Sequence, residues 1–200
     1  MLLSDGYHDL PPGMLGTVVT YLEMRARVAA RPERADGPWV LRRVESPAVD
    51  WYRDLYRRVG TDWLWMSRLV MPDAELRGIL LDAEVELHAL EVDGRAEGML
   101  ELDRRITGEC EVAFFGLTPK LVGTGAGRWL MNRAIGVAFA RPITRLWLHT
   151  CSLDSPDALD FYLRSGFVPY DRKVEVFDDP RVLGVLPRSA APQVPLIEPR

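Results

Sequence analysis

Lysine is nearly missing from this 200-residue chain, in which Lys120 and Lys173 are the only two. Neither follows the glycine run Gly123, Gly125, Gly127, so the GxxxxGK[ST] loop of nucleoside triphosphatases is excluded. A dinucleotide-binding turn wants GxGxxG and an acidic residue about 20 positions later. Here the third glycine falls one place early, and no Asp or Glu stands between Gly127 and Asp154. A basic excess is also absent: the net charge of −4 argues against a general nucleic-acid binder. No apolar run approaches the ~20 residues of a membrane helix, so no membrane partner is expected. The opening MLLSDGYHDLPPG has neither a basic start nor a long apolar segment, so no secretory signal is expected. Cysteine is scarce, with only Cys110 and Cys151, which fall at opposite edges of the expected sheet. Separate thiols suit a reducing compartment, and a cytoplasmic location is the expectation. No Cys/His cluster has metal-ligand spacing, so no metal is expected, and no Ser/His/Asp set has supporting context.

What is present centres on Glu109–Ala140. Glu109 to Leu117 (ECEVAFFGL) is β-branched and aromatic and reads as a strand, which Pro119 ends. The three glycines follow, and an apolar pattern at helical spacing runs from Arg128 to Ala140. A strand, a glycine-rich turn and a helix make backbone N–H groups converge at the helix N-terminus, which carries roughly half a positive charge and suits a phosphate or pyrophosphate. Glycines there leave no Cβ between the amides and the ligand.

This loop resembles the pyrophosphate loop of the GNAT superfamily of acetyl-CoA-dependent N-acetyltransferases, Q/R-x-x-G-x-G/A. It reads Val122-Gly123-Thr124-Gly125-Ala126-Gly127, continued by Arg128 and Leu130, with Val122 in place of the usual polar residue. A second block, RLWLHTCSLDSPDALDFYLRSGF, resembles the family's strand followed by N-x-x-A-x-x-F-Y-x-x-x-G-F. Ser155 stands for the asparagine, while Ala158, Phe161, Tyr162, Gly166 and Phe167 match. The resemblance implies an α/β fold with a central mixed sheet of about six to seven strands, flanked by about four helices, whose parallel central strands splay.

The rest of the chain reads in the same order. Residues 1–38 are expected as an N-terminal arm, with Thr17 to Met24 a possible edge strand. The main domain is expected over 39–178. It opens with a strand at Trp39–Val44 and a helix that Ser46-Pro47 caps and Gly60 ends, with Val49, Tyr52, Leu55, Tyr56 and Val59 at helical spacing. A short helix from Pro72 to about Leu81 follows, then a hairpin of Val85–Val92 and Arg95–Leu102 turning at Asp93-Gly94. After the central strand, helix and parallel strand, Ser155-Pro156 signals a further helix and Val168 to about Phe177 a last strand. The proline-rich residues 179–200 are expected as an irregular tail, extended or loosely packed. Strand, two helices, three strands, helix, strand, helix, strand is also the family's order.

The resemblance further implies that the pantetheine arm of acetyl-CoA runs along the backbone of Phe115, Gly116 and Leu117, with Gly116 suited to a bulge or to close backbone approach. Strand alternation places Glu109, Glu111, Ala113, Phe115 and Leu117 on one face, so Glu111 sits in an apolar row where desolvation raises its pKa towards that of a general base. The other reading of Glu111 is a strand-end carboxylate, solvated or paired with Arg104 or Arg105. Ala158 and Tyr162 share a helix face, and in the family such a tyrosine assists the leaving thiolate. His149 is a base or a packed histidine. Trp51, Trp63 and Trp65 are core aromatics or, with Asp62, an acceptor wall. The expected function is transfer of an acetyl group to a primary amine, of a small molecule or peptide, in a ternary complex. A non-catalytic acyl-CoA sensor is the alternative, and a homodimer is plausible from an apolar arm at each end.

Overall fold

The computed structural model describes residues 4–34 and 36–199; residues 1–3 of the expected N-terminal arm, Ala35 and Arg200 lie outside them. Seven strands form one mixed sheet: β1 (Met14–Met24), β2 (Val40–Arg43), β3 (Val85–Val92), β4 (Arg95–Asp103), β5 (Glu109–Leu117), β6 (Arg145–Cys151) and β7 (Val168–Asp178). Five helices accompany them: α1 (Val49–Gly60), α2 (Ser67–Val70), α3 (Asp73–Leu80), α4 (Ala126–Ala138) and α5 (Ala158–Arg164). The spatial order is β2-β3-β4-β5-β6-β1-β7, antiparallel throughout except for β5 against β6. No helix among the described residues is long and apolar enough to cross a membrane.

Each helix buries the stripe its spacing announces. Tyr52, Leu55, Tyr56 and Val59 of α1 pack with Leu76 and Leu80 of α3 on one face of the sheet. Leu130, Met131, Ala134 and Ile135 of α4 pack with Leu100, Leu102, Cys110 and Val112 on the other. In the β3–β4 turn Asp93 and Gly94 both take positive φ, 50° and 76°, as a two-residue hairpin connection requires. The Ser46-Pro47 start signal falls early. Ser46 adopts φ 53° and α1 begins at Val49 after an extended Ala48, with no side-chain cap.

Two expectations about the chain ends are corrected. Thr17 to Met24 is not an edge strand, because β1 lies between β6 and β7, pairing with both. Leu22 and Met24 pack into the α4 core while Val19 is buried on the opposite face, and burial on both faces belongs to an interior strand. Nor is the tail loosely packed. Leu186, Ala190 and Ala191 form a third apolar cluster with Leu15 and Leu64. Arg181, 3% exposed, pairs with Asp179 at 2.7 Å and donates to the carbonyls of Ala190, Ala191 and Val194. One guanidinium thus satisfies carbonyls that have no sheet partner.

Candidate active site

The parallel pairing of β5 and β6 lasts for three residues, Glu109↔Arg145, Cys110↔Leu146 and Glu111↔Trp147. Beyond that point the strands diverge and open a cleft of about 1100 Å³ that reaches from the glycine loop to the α1–α2 connection. It is lined by Glu111, Phe115, Gly116, Leu117, Val122, Gly123, Gly125, Gly127, Arg128, Ser155, Ala158 and Tyr162. Thr124 and Ala126 stand behind this surface. The Thr124 hydroxyl donates to Leu121 O at 2.7 Å and accepts from Ala126 N at 3.3 Å, tying the loop together.

The bulge in β5 falls at Ala113, not Gly116. Glu101 opposes Phe114 and Leu102 opposes Val112, which leaves Ala113 unmatched. A bulge shifts the alternation by one residue, so the face expected to join Glu111 with Ala113, Phe115 and Leu117 does not exist. Phe115 and Leu117 pack into the α4 core, while Phe114 joins Glu111 on the α1 side. Gly116 serves close packing instead: a Cβ there would lie 2.4 Å from Val59 Cγ1 and 3.2 Å from the Trp65 ring.

At the loop end, Gly123 and Gly125 adopt φ 78° and 98°, values that an L side chain reaches only under strain. The N–H groups of Gly123, Gly125, Gly127 and Arg128 have no acceptor among the described residues. Three guanidinium groups surround them. Arg128 donates to Pro32 O at 2.9 Å, and Arg31 and Arg164 line the same cleft. Burial lowers the Arg31 pKa, and repulsion from Arg128 and Arg164 lowers it further. Open amides and gathered arginines fit an anionic diphosphate. The sequence motif contains Arg128 but not Arg31, which arrives on the segment that crosses α4, or Arg164, at the far end of α5.

At the other end, burial pushes the Glu111 carboxyl up to about 7, helped by the like charges of Asp103 and Glu101. The arginines named in the other reading of Glu111 are engaged elsewhere, Arg104 with Glu86 at 2.6 Å and Arg105 with Asp103 at 2.5 Å. His149 Nδ1 lies 3.7 Å from Glu111 Oε1. Burial against Tyr21 lowers the imidazole pKa, with the charges of Asp154 and Glu175 opposing that shift, and 46% of the side chain stays open to solvent. Glu109 pairs with Arg145 at 3.4 Å, as a structural residue. Trp63 and Trp65 line the cleft, whereas Trp51 and Asp62 do not.

The tyrosine is set by α5, which begins at Ala158, two residues beyond the expected Ser155-Pro156 start. Ser155 contributes a turn, its carbonyl accepting from Ala158 N at 2.8 Å. Ala158 and Tyr162 keep their four-residue spacing and both line the cleft. The Tyr162 ring is held edge-on by Phe115, Phe161 and Phe167, and its hydroxyl has no partner among the described residues. Burial first, and then Asp154, pushes its pKa well above the ordinary tyrosine range. Asp154 itself accepts from Thr150 Oγ1 at 2.7 Å, Cys151 N at 2.8 Å and Trp65 Nε1 at 3.3 Å. It joins the end of β6 to the loop after α1, a role that no local pattern announces.

The splayed pair of parallel strands, the amide-lined helix N-terminus and Tyr162 thus meet in one cleft. Residues 47–167 match the family model "Acetyltransferase (GNAT) family", and the chain belongs to that family. Similar solved structures include a functionally unknown conserved protein from Staphylococcus epidermidis (TM-score 0.59, 17% identity, 84% of this chain and 63% of that one). A GCN5-related N-acetyltransferase from Kribbella flavida is another (TM-score 0.55, 18% identity, 84% and 60%). An aminoglycoside acetyltransferase from an uncultured soil metagenomic sample, in complex with trehalose, aligns over 66% of this chain and 90% of its own (TM-score 0.55, 12% identity). At these identities the likeness is one of fold. The chain spans 63% and 60% of the length of the first two. No curated protein matches. Strands β1 and β7 both lie outside the matched segment.

Proposed function

We propose that this protein transfers an acetyl group from acetyl-CoA to a primary amine, with acetyl-CoA and acceptor bound together in the cleft. The observation that carries the reading is the cleft's construction, with unpaired amides at one end and a carboxylate of pKa about 7 at the other. Gly123, Gly125, Gly127 and Arg128 would hold the diphosphate of the co-substrate through backbone N–H groups, with Arg31 and Arg164 balancing its charge. Bound acetyl-CoA would supply a thioester, whose C–S bond breaks as the acceptor's C–N bond forms.

Glu111 accepts the proton that the ammonium must lose before its nitrogen is nucleophilic. An alkylammonium has a reference pKa of ~10.4, and a carboxylate raised towards 7 closes much of the gap that an ordinary glutamate of ~4.3 would leave. Neutral His149 orients that carboxylate or relays its proton to solvent. Tyr162 donates a hydrogen bond to the departing sulfur. Full proton transfer from a tyrosine above its ordinary pKa of ~10 to a thiolate of ~8.5 is uphill by roughly 2 kcal/mol or more, so stabilisation by the hydrogen bond is its contribution. The two free thiols suit action in the reducing cytoplasm.

The test measures free thiol released from acetyl-CoA across an amine panel, alongside calorimetric binding of coenzyme A. Turnover lost in Glu111→Gln with coenzyme A binding retained supports the enzyme. Tight binding with no turnover on any amine makes the protein an acyl-CoA sensor.

A further inference from the structure

The two ends of the cleft are opposite in charge. Around the glycine loop stand Arg31, Arg128 and Arg164, whereas the reaction end presents Glu111, Asp154 and Glu175. None of these three carboxylates has an Arg or Lys partner among the described residues. Arg105 is paired with Asp103 and Arg68 with Glu101, while Lys173 lies over the Tyr21 ring and 3.8 Å from Asp171. Asp154 already accepts from three neutral donors, and Glu111 is assigned to the reacting amine. Glu175 is left. It sits on β7 opposite Thr17 of β1, and both line the cleft. It shares a wall with His149, whose pKa responds to its charge. That the cleft takes a ligand is indicated independently by Tyr162, only 9% exposed, whose hydroxyl faces it without a partner.

We propose that the acceptor carries two cationic nitrogens and that Glu175 binds the one that is not acetylated, making it a specificity-determining residue. One ammonium meets Glu111 and loses its proton, and the other keeps its charge against Glu175. The inference deepens the acetyltransferase reading and rests on it for which nitrogen reacts. Glu175 lies on β7, beyond the residues 47–167 that match the family model.

The experiment compares short α,ω-diamines with monoamines of matched chain length, by thiol release from acetyl-CoA at low and high salt. Glu175 is exposed, so diamines are expected to lead in kcat/KM by about threefold, the size of one solvent-exposed ion pair, with the lead shrinking as salt rises. Glu175→Gln is expected to bring the diamine-to-monoamine ratio close to one, and Glu175→Asp to keep part of it. A ratio unchanged by Glu175→Gln overturns the inference while leaving the acetyltransferase reading in place. Calorimetry of the same amines on the coenzyme A-saturated protein separates the two ideas further. Glu175-dependent diamine binding without turnover sustains the acceptor class and sinks the enzyme, whereas equal binding of diamine and monoamine sinks the acceptor class.

Discussion

The two ends of the cleft are built by different means. The loop end presents four open main-chain N–H groups between Gly123 and Arg128, with arginines from distant segments beside them. The reaction end is assembled from side chains on four elements: Glu111 on β5, His149 on β6, Tyr162 on α5 and Glu175 on β7. A backbone site needs only that glycine permit the right φ, so substituting its non-glycine residues costs little. A side-chain site depends on each element holding register, and a one-residue slip such as the Ala113 bulge changes which residues meet.

The sharpest way to break the contrast is Glu111→Gln. Loss of the base is expected to lower kcat on the order of 100-fold, while coenzyme A affinity by calorimetry stays near that of the parent. The pH dependences should run in opposite directions. Activity rises as Glu111 ionises, so kcat/KM climbs with pH and levels off above about 7. Stability falls over the same range. A carboxyl whose folded pKa lies above its unfolded value of ~4.3 binds more protons when folded, so its contribution is complete below that value and is lost as pH rises through the folded pKa. Glu111→Gln should therefore be more stable than the parent at pH 8, by about 2 kcal/mol in denaturant titrations. A stability difference between the two that does not change with pH would remove the buried-carboxylate account.

At the loop end, Gly125→Val is expected to weaken coenzyme A binding by roughly 30-fold. Its φ of 98° costs a side chain about 1–2 kcal/mol, and although the Cβ itself would sit in ordinary contact with Trp39 at 3.5 Å and Arg34 at 3.6 Å, the valine methyls beyond it would crowd them. Gly123→Ala meets nothing within 4 Å and should lose only a few-fold, through strain alone. Equal losses at both glycines would mean that crowding is irrelevant. Tyr162→Phe should lower kcat about tenfold, with little change in KM for the co-substrate. Arg31→Ala is the mildest change. A partly exposed cation is worth about threefold in affinity, and that loss should fade in high salt.

Much of this was legible beforehand. The strand, glycine turn and helix order around Val122–Arg128 and the shared helix face of Ala158 and Tyr162 follow from local spacing, because each is a contiguous pattern. The unread parts are those for which local pattern is ambiguous. Ser46-Pro47 and Ser155-Pro156 both carry the signature of a helix start, yet α1 begins at Val49 and α5 at Ala158. Alternation put Phe115 beside Glu111, since a bulge leaves no mark in a strand with Ala113 and Gly116 both available to host one. Thr17–Met24 read as a peripheral strand because its alternation does not say how many neighbours it pairs with.

What the sequence determined by itself is the class of the molecule: a glycine-rich turn between a strand and a helix, and the family that carries one. Glycine positions and apolar periods act over a few residues, and no distant contact is needed to interpret them. Tertiary structure alone decided that Glu111 is left without a cation, that β1 fills the slot between β6 and β7, and that Glu175 faces the same cleft as Tyr162. Those outcomes depend on which strands pair and on which cations have already been claimed by other carboxylates, and a linear pattern holds neither.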